Sequence, residues 1–189
     1  MQMAFYDVGD RINTEHKMFS IQFRHAPTIG PNAFALPDGT IVFTDEIVEL
    51  VDDDQSLLNA IYLHEVGHVE NNHSMQLVAE SLFATLAVSY FFGDISGSLE
   101  AFFGIGSTVV SNKFTQAHET DADDFALRQL RNSGQDPMAF ADAMKKLSQL
   151  RPSASEAVDN WFSSHPAIQS RIERAMKFAD GRCEAAVSD

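Results

Sequence analysis

Asp54-Gln55-Ser56-Leu57-Leu58-Asn59-Ala60-Ile61-Tyr62-Leu63-His64-Glu65-Val66-Gly67-His68-Val69-Glu70-Asn71 is the stretch on which the fold turns. Leu57, Leu58, Ile61, Val66 and Val69 recur at helical spacing. Asp52, Asp53 and Asp54 form an acidic cap cluster ahead of them. The pattern predicts a helix running through Asn71. On that helix His64 and His68 lie about one turn apart on one face. Two imidazoles so placed can share one Zn2+ ion at roughly 2.0–2.1 Å. Glu65 is rotated about 100° away, beside the metal position, where it could take a proton from an attacking water. Gly67 lowers helix propensity by about 1 kcal/mol relative to Ala. Its presence predicts that something packs against the backbone between the two histidines.

A catalytic zinc site needs a third protein ligand. The single cysteine, Cys183, stands near the end of the chain. It excludes an intramolecular disulfide and a cysteine-based metal cluster, which leaves the other histidines and the acids. Glu119-Thr120-Asp121-Ala122-Asp123 falls within a predicted helix over about residues 114–132. Glu119 and Asp123 share one face of it, at i and i+4. A Glu there could coordinate, while the Asp one turn on accepts a hydrogen bond from a ligand histidine and fixes its tautomer. Taken alone, the acidic run reads first as a solvated face, and Asp121 as a solvated charge.

Working outward, 189 residues with 44% hydrophobic and 21% charged side chains make one ordinary domain and exclude disordered and fibrous classes. The formal charge of -14 repels phosphate backbones, so no nucleic-acid partner is expected. The longest uncharged stretches, Ser81–Gly93 and Ala101–Asn112, fall short of the roughly 20 residues that cross a bilayer. They read as buried helices, with Phe83, Phe91, Phe92, Phe102 and Phe103 in the core, so no transmembrane segment is expected in this chain.

Ahead of the metal helix, residues 19–23, 32–36 and 40–44 read as short strands, the last two joined by the Pro37-Asp38-Gly39 turn. Residues 45–50 form a short helix or turn. Behind it follow apolar helices over about 75–92 and 98–112, and a helix ending at Asn132-Ser133-Gly134. Another is opened by Pro137, and a last one begins at His165-Pro166 with Pro in its first turn. The fold class is α+β, mostly helical. Residues 1–18 read as an N-terminal arm, 19–180 as the domain and 181–189 as a tail.

Four segments together resemble the HtpX-like and CAAX-prenyl-protease-type zinc metallopeptidases, the family-48 metallopeptidases of the gluzincin group. They are Asn32-Ala33-Phe34-Ala35-Leu36-Pro37 with Ile41-Val42-Phe43-Thr44, then Leu63–His68 with Asn72-His73. Glu119-x-x-Ala122-Asp123 follows, and lastly His165-Pro166 with Arg171-Ile172. The resemblance covers about residues 32–178 in the expected order. It implies a zincin-like fold, a small sheet beside an active-site helix, and one Zn2+ per chain. It implies His64, His68 and Glu119 as zinc ligands, Glu65 as catalytic base, and Asp123 behind the ligands.

The reaction so implied is hydrolysis of peptide bonds in a peptide or unfolded protein, with a role in protein quality control. A periplasmic or membrane-associated setting goes with it rather than a purely cytoplasmic one. His165 is expected near the zinc, either as an oxyanion donor or as a fourth ligand that keeps the enzyme latent. Arg171 either donates there or pairs with Asp123. The substrate is expected to lie along an edge strand formed by Asn32, Ala33, Phe34 and Ala35. Trp161-Phe162 could wall a specificity pocket or act as a lid. His73 is placed off the ligand face by about 140°, at the surface or a helix end; His16, His25 and His118 have no assignment. The rival reading is a latent zincin-like module acting as a chaperone or binding domain.

Overall fold

A computed structural model of the chain describes residues 19–92, 114–149 and 165–181. The N-terminal arm, the apolar stretch over 98–112, the segment with Trp161 and Phe162, and the tail from 182 lie outside the described residues. So do His16 and the side chains of Phe91, Phe92, Phe102 and Phe103.

Three strands, β1 (Ser20–Arg24), β2 (Ala33–Ala35) and β3 (Thr40–Thr44), make one sheet of order β1-β3-β2. β2 and β3 form the expected hairpin, antiparallel with Phe34 opposite Val42. β1 runs parallel to β3, with Ile21 opposite Ile41. All five residues of β3 are buried, as a central strand requires. Thr44 ends β3 and caps the next element, accepting from the Ile47 N–H.

Among the described residues six helices follow: α1 (Asp45–Leu50), α2 (Gln55–Glu70), α3 (His73–Phe92), α4 (Gln116–Asn132), α5 (Met138–Gln149) and α6 (Ile168–Ala179). Asp54 caps α2, its carboxylate accepting from Ser56 and Leu57 N–H groups. Asp52 and Asp53 ahead of it take left-handed backbone and turn the chain into the helix. α2 is buried continuously from Leu57 to Val69, because β2 and β3 cover it as well as α3, α4 and α5. A helix enclosed on every side is the spine of the domain. Gly67 explains one of those contacts: a Cβ there would sit 2.9 Å from the Cα and carbonyl oxygen of Ala122 on α4. The glycine lets two helix backbones touch.

Two expectations are corrected. The apolar helix after residue 75 is not buried throughout: Phe83, Leu86 and Tyr90 are exposed, Phe83 by 75%. α3 spreads its apolar residues around the helix, with Gln76 and Glu80 among them, so its sequence does not mark a covered face. Only its start, at His73, Ser74 and Leu77, enters the core among the described residues. The last helix begins at Ile168, not at Pro166. Ala167 takes left-handed backbone (φ 63°) with no side-chain cap bond, so the regular helix starts only at the residue after it. Among the described residues, no helix is long and apolar enough to cross a membrane.

Candidate metal centre

α2 supplies His64, Glu65 and His68; α4 supplies Glu119 and Asp123; α6 and the turn before it supply Arg171 and His165. The Gly67–Ala122 contact brings the first two groups together. His64, Glu65, His68, Glu119 and His165 are each at most 1% exposed. His64, His68, Glu119 and His165 can offer one ligand atom each, all within 4.8 Å of one another.

The separations test whether a metal fits. Bonds of roughly 2.0–2.1 Å in tetrahedral geometry put neighbouring donor atoms about 3.3 Å apart. His64 Nε2 and His68 Nε2 are 3.1 Å apart. Glu119 lies 3.3 Å from His68 Nε2 and 3.7 Å from His64 Nε2. His165 Nδ1 is 3.3 Å from His64 Nε2 and 3.0 Å from Glu119 Oε1. Two imidazole nitrogens facing each other across 3.1 Å with a carboxylate against both form a donor set that fits Zn2+. His165 stands at a fourth corner.

Protonation agrees with ligation, which requires neutral imidazole and ionised carboxylate. Burial pulls His68 well below its usual range, with His64 and His165 adding and Glu119 opposing. Burial likewise lowers His165. Burial would raise Glu119, but the attraction of His165 and Arg171 outweighs it and holds the carboxyl well below its ordinary value. Glu65 goes the other way: burial and the charge of Glu119 push it well above the carboxylate range, against the pull of Arg171. Its carboxylate is fully buried, with Oε1 3.7 Å from His165 Nε2.

Behind these groups, Asp123 Oδ1 lies 3.0 Å from His64 Nδ1, the nitrogen turned away from the donor cluster. Arg171 forks onto Asp123, Nε to Oδ2 at 2.8 Å and Nη2 to Oδ1 at 2.7 Å. Its Nη1 lies 2.5 Å from Glu119 Oε2. Of the two roles open to Arg171, the geometry shows pairing with Asp123. The acidic face on α4 is therefore buried at Glu119 and Asp123, while Asp121 stays exposed.

β2 is the terminal strand beside α2. Asn32 and Leu36 bond to β3 through Thr44 and Thr40, so the Ala33 and Ala35 peptide groups face away from the sheet. That edge is not open: Asn32, Ala33 and Ala35 are buried, and the Ser74 hydroxyl donates to the Ala35 carbonyl at 3.3 Å.

Sequence reasoning missed two residues. Phe114 stacks on the His68 ring at 4.0 Å; as a lone aromatic before a helix cap it carried no signal. His73 is buried, with Nδ1 3.0 Å from His68 Nδ1. Burial, then His118, lowers it to about 4. The 140° offset assumed one continuous helix, but Asn72 takes left-handed backbone (φ 55°), and a new helix returns His73 to the site. The Asn71-Asn72 pair was the available signal, since Asn visits that conformation readily.

A family model described as Peptidase family M48 matches residues 2–179. The chain is 31% identical over 157 residues to Metalloprotease LoiP of Escherichia coli (strain K12), covering 79% of this chain and 60% of that protein. It is 27% identical over 164 residues to the Beta-barrel assembly-enhancing protease of Yersinia pestis, covering 79% and 32%. It is 28% identical over 144 residues to Mitochondrial metalloendopeptidase OMA1 of Arabidopsis thaliana, covering 74% and 28%. The chain thus spans about three fifths of the first of these relatives and a third or less of the other two.

Proposed function

Because the chain belongs to peptidase family M48, a family of zinc metallopeptidases, we propose that His64, His68 and Glu119 hold one zinc ion and that Glu65 is the general base of peptide-bond hydrolysis. The observation that carries this is the cluster of two imidazole nitrogens and a carboxylate at metal-ligand separations, with the buried carboxylate of Glu65 next to it in sequence, 3.7 Å from His165 Nε2. Zinc bound there supplies a Lewis acid that acidifies water and polarises a carbonyl. Glu65 takes the proton of the attacking water and delivers it to the leaving amine. Its raised proton affinity suits a group that must hold that proton between the two steps. Asp123 accepts the His64 Nδ1–H and keeps the His64 Nε2 lone pair turned to the metal position. Arg171 holds Asp123 and Glu119 at once and offsets part of their charge.

The substrate is an extended or unfolded polypeptide pairing with β2 at Asn32–Ala35, which requires the Ser74 hydroxyl to yield the Ala35 carbonyl. Quality control of unfolded proteins fits such a main-chain reader. The test is Glu65→Gln: zinc content stays at one per chain while casein cleavage falls by about 10²–10⁴-fold. Undiminished cleavage defeats the assignment.

One observation favours a second reading, a latent module. A catalytic zinc keeps an open position, and His165 Nδ1 stands at the fourth corner of the donor set. In this state His165 blocks the place where water must enter, and turnover requires it to move aside.

A further inference from the structure

His64 and His68 differ in what holds them. His64 turns its outer nitrogen to a carboxylate, Asp123. His68 turns its own to another imidazole, His73, at 3.0 Å between the two Nδ1 atoms. A contact of that length between two ring nitrogens holds one proton: one ring donates and the other accepts. If His73 donated, His68 would carry its proton on Nε2. That atom faces His64 Nε2 at 3.1 Å and Glu119 Oε1 at 3.3 Å, so the proton would fill the metal position. A metal-binding His68 must therefore carry its proton on Nδ1 and give it to His73.

We propose that His73 is a positioning residue of the metal centre, its Nδ1 accepting the His68 ring proton and so aiming the His68 Nε2 lone pair at the zinc. The proposal rests on His68 being a zinc ligand. His73 is itself fixed for the task. It is 2% exposed. Its ring stacks on His118 at 4.3 Å and 21°, and its Nε2 faces Asp121 Oδ2 at 3.9 Å, on the side where its remaining proton must lie. Left-handed Asn72 starts α3 at the residue that meets His68, and Ser74 pins the same turn to β2. The break between α2 and α3 therefore serves the metal site as well as the fold.

Three variants of the full chain separate an acceptor from a filler of space. His73→Asn keeps an oxygen acceptor close to the place of Nδ1. His73→Gln carries its acceptor one bond further out, and His73→Leu has none. Zinc affinity is read by competition with a chromophoric chelator, and coordination by the visible absorption of the Co2+-loaded chain. Loss of such a partner costs about 10–100-fold in metal affinity. His73→Leu and His73→Gln are expected to lose that much and to perturb the Co2+ bands, while His73→Asn keeps most of the affinity and the native bands. Should His73→Leu fail to fold, the Asn and Gln variants decide. Equal affinity across native and all variants overturns the proposal, and so does an Asn variant as weak as Gln. His64→Ala is the control on the underlying reading: native-like zinc binding in that variant means the site itself is misassigned, whatever His73 does.

Discussion

Replacing Gly67 by Ala adds one methyl group at the place where α2 and α4 touch. Its Cβ would lie 2.9 Å from Ala122 Cα and from the Ala122 carbonyl oxygen, and 3.2 Å from Phe125 Cβ. Two of those atoms are backbone and cannot rotate away. Carbon–carbon contacts settle near 3.5–4.0 Å, so the helices must part by at least about 0.6 Å. Overpacking of this kind costs about 1–3 kcal/mol, and the better helix propensity of Ala returns about 1 kcal/mol. A net loss of about 0–2 kcal/mol is expected in urea unfolding of the metal-free chain. The larger effect falls on the metal. Glu119 lies one turn before Ala122, so moving α4 draws its carboxylate away from both histidines, whereas metal–ligand distances tolerate about 0.2 Å. Zinc affinity by chelator competition is expected to fall by about 10–100-fold. A Gly67→Ala chain that gains about 1 kcal/mol, as an uncrowded helix position would, and binds zinc unchanged refutes the reasoning.

Three further outcomes are expected. Arg171→Met leaves Asp123 and Glu119 buried without their cation, and removal of one partner from a buried pair costs about 3–5 kcal/mol; a urea-unfolding loss below about 1 kcal/mol contradicts that role. His165→Ala opens the fourth corner, so casein cleavage per zinc is expected to rise, and a fall would instead make His165 an oxyanion donor. Acid weakens the metal-free fold. His68 and His165 are held below 6.5 and His73 at about 4, all chiefly by burial, so the stability they contribute is present above 6.5 and is lost as pH falls toward their folded values. Glu65 is raised and acts oppositely, its share being present below 4.5 and lost as pH rises. The three imidazoles are expected to lower the urea midpoint from pH 7 to pH 4.5, with Glu65 offsetting part of that fall; a midpoint that does not change in a Glu65→Gln chain contradicts the burial of these imidazoles.

The sequence made some features legible through local rules and hid others that depend on long-range contacts. The Asp54 cap, the Pro37-Asp38-Gly39 turn and the stop at Gly134 are written in residues adjacent to the features they cause. The spacing of His64 and His68 needed only a helix, and Gly67 announced a close neighbour without naming Ala122. Burial of the acidic face at Glu119 and Asp123 was not local: it depends on Arg171, distant in sequence, whose guanidinium bonds to both carboxylates. The parallel pairing of β1 with β3 was equally invisible, since alternation marks a strand but not its direction. α3 misled because a run rich in apolar residues reads as burial whether or not a partner covers it. His73 misled because angular arithmetic holds along one helix and fails across a left-handed residue.

Proteolysis as proposed requires His64, His68 and Glu119 to converge on one zinc ion. Anomalous diffraction at the zinc edge, from crystals of the full chain grown with Zn2+, tests it most directly. One strong peak is expected within about 2.0–2.2 Å of His64 Nε2, His68 Nε2 and a Glu119 carboxylate oxygen. A map with no peak there, or with Glu119 turned away from the metal, contradicts it.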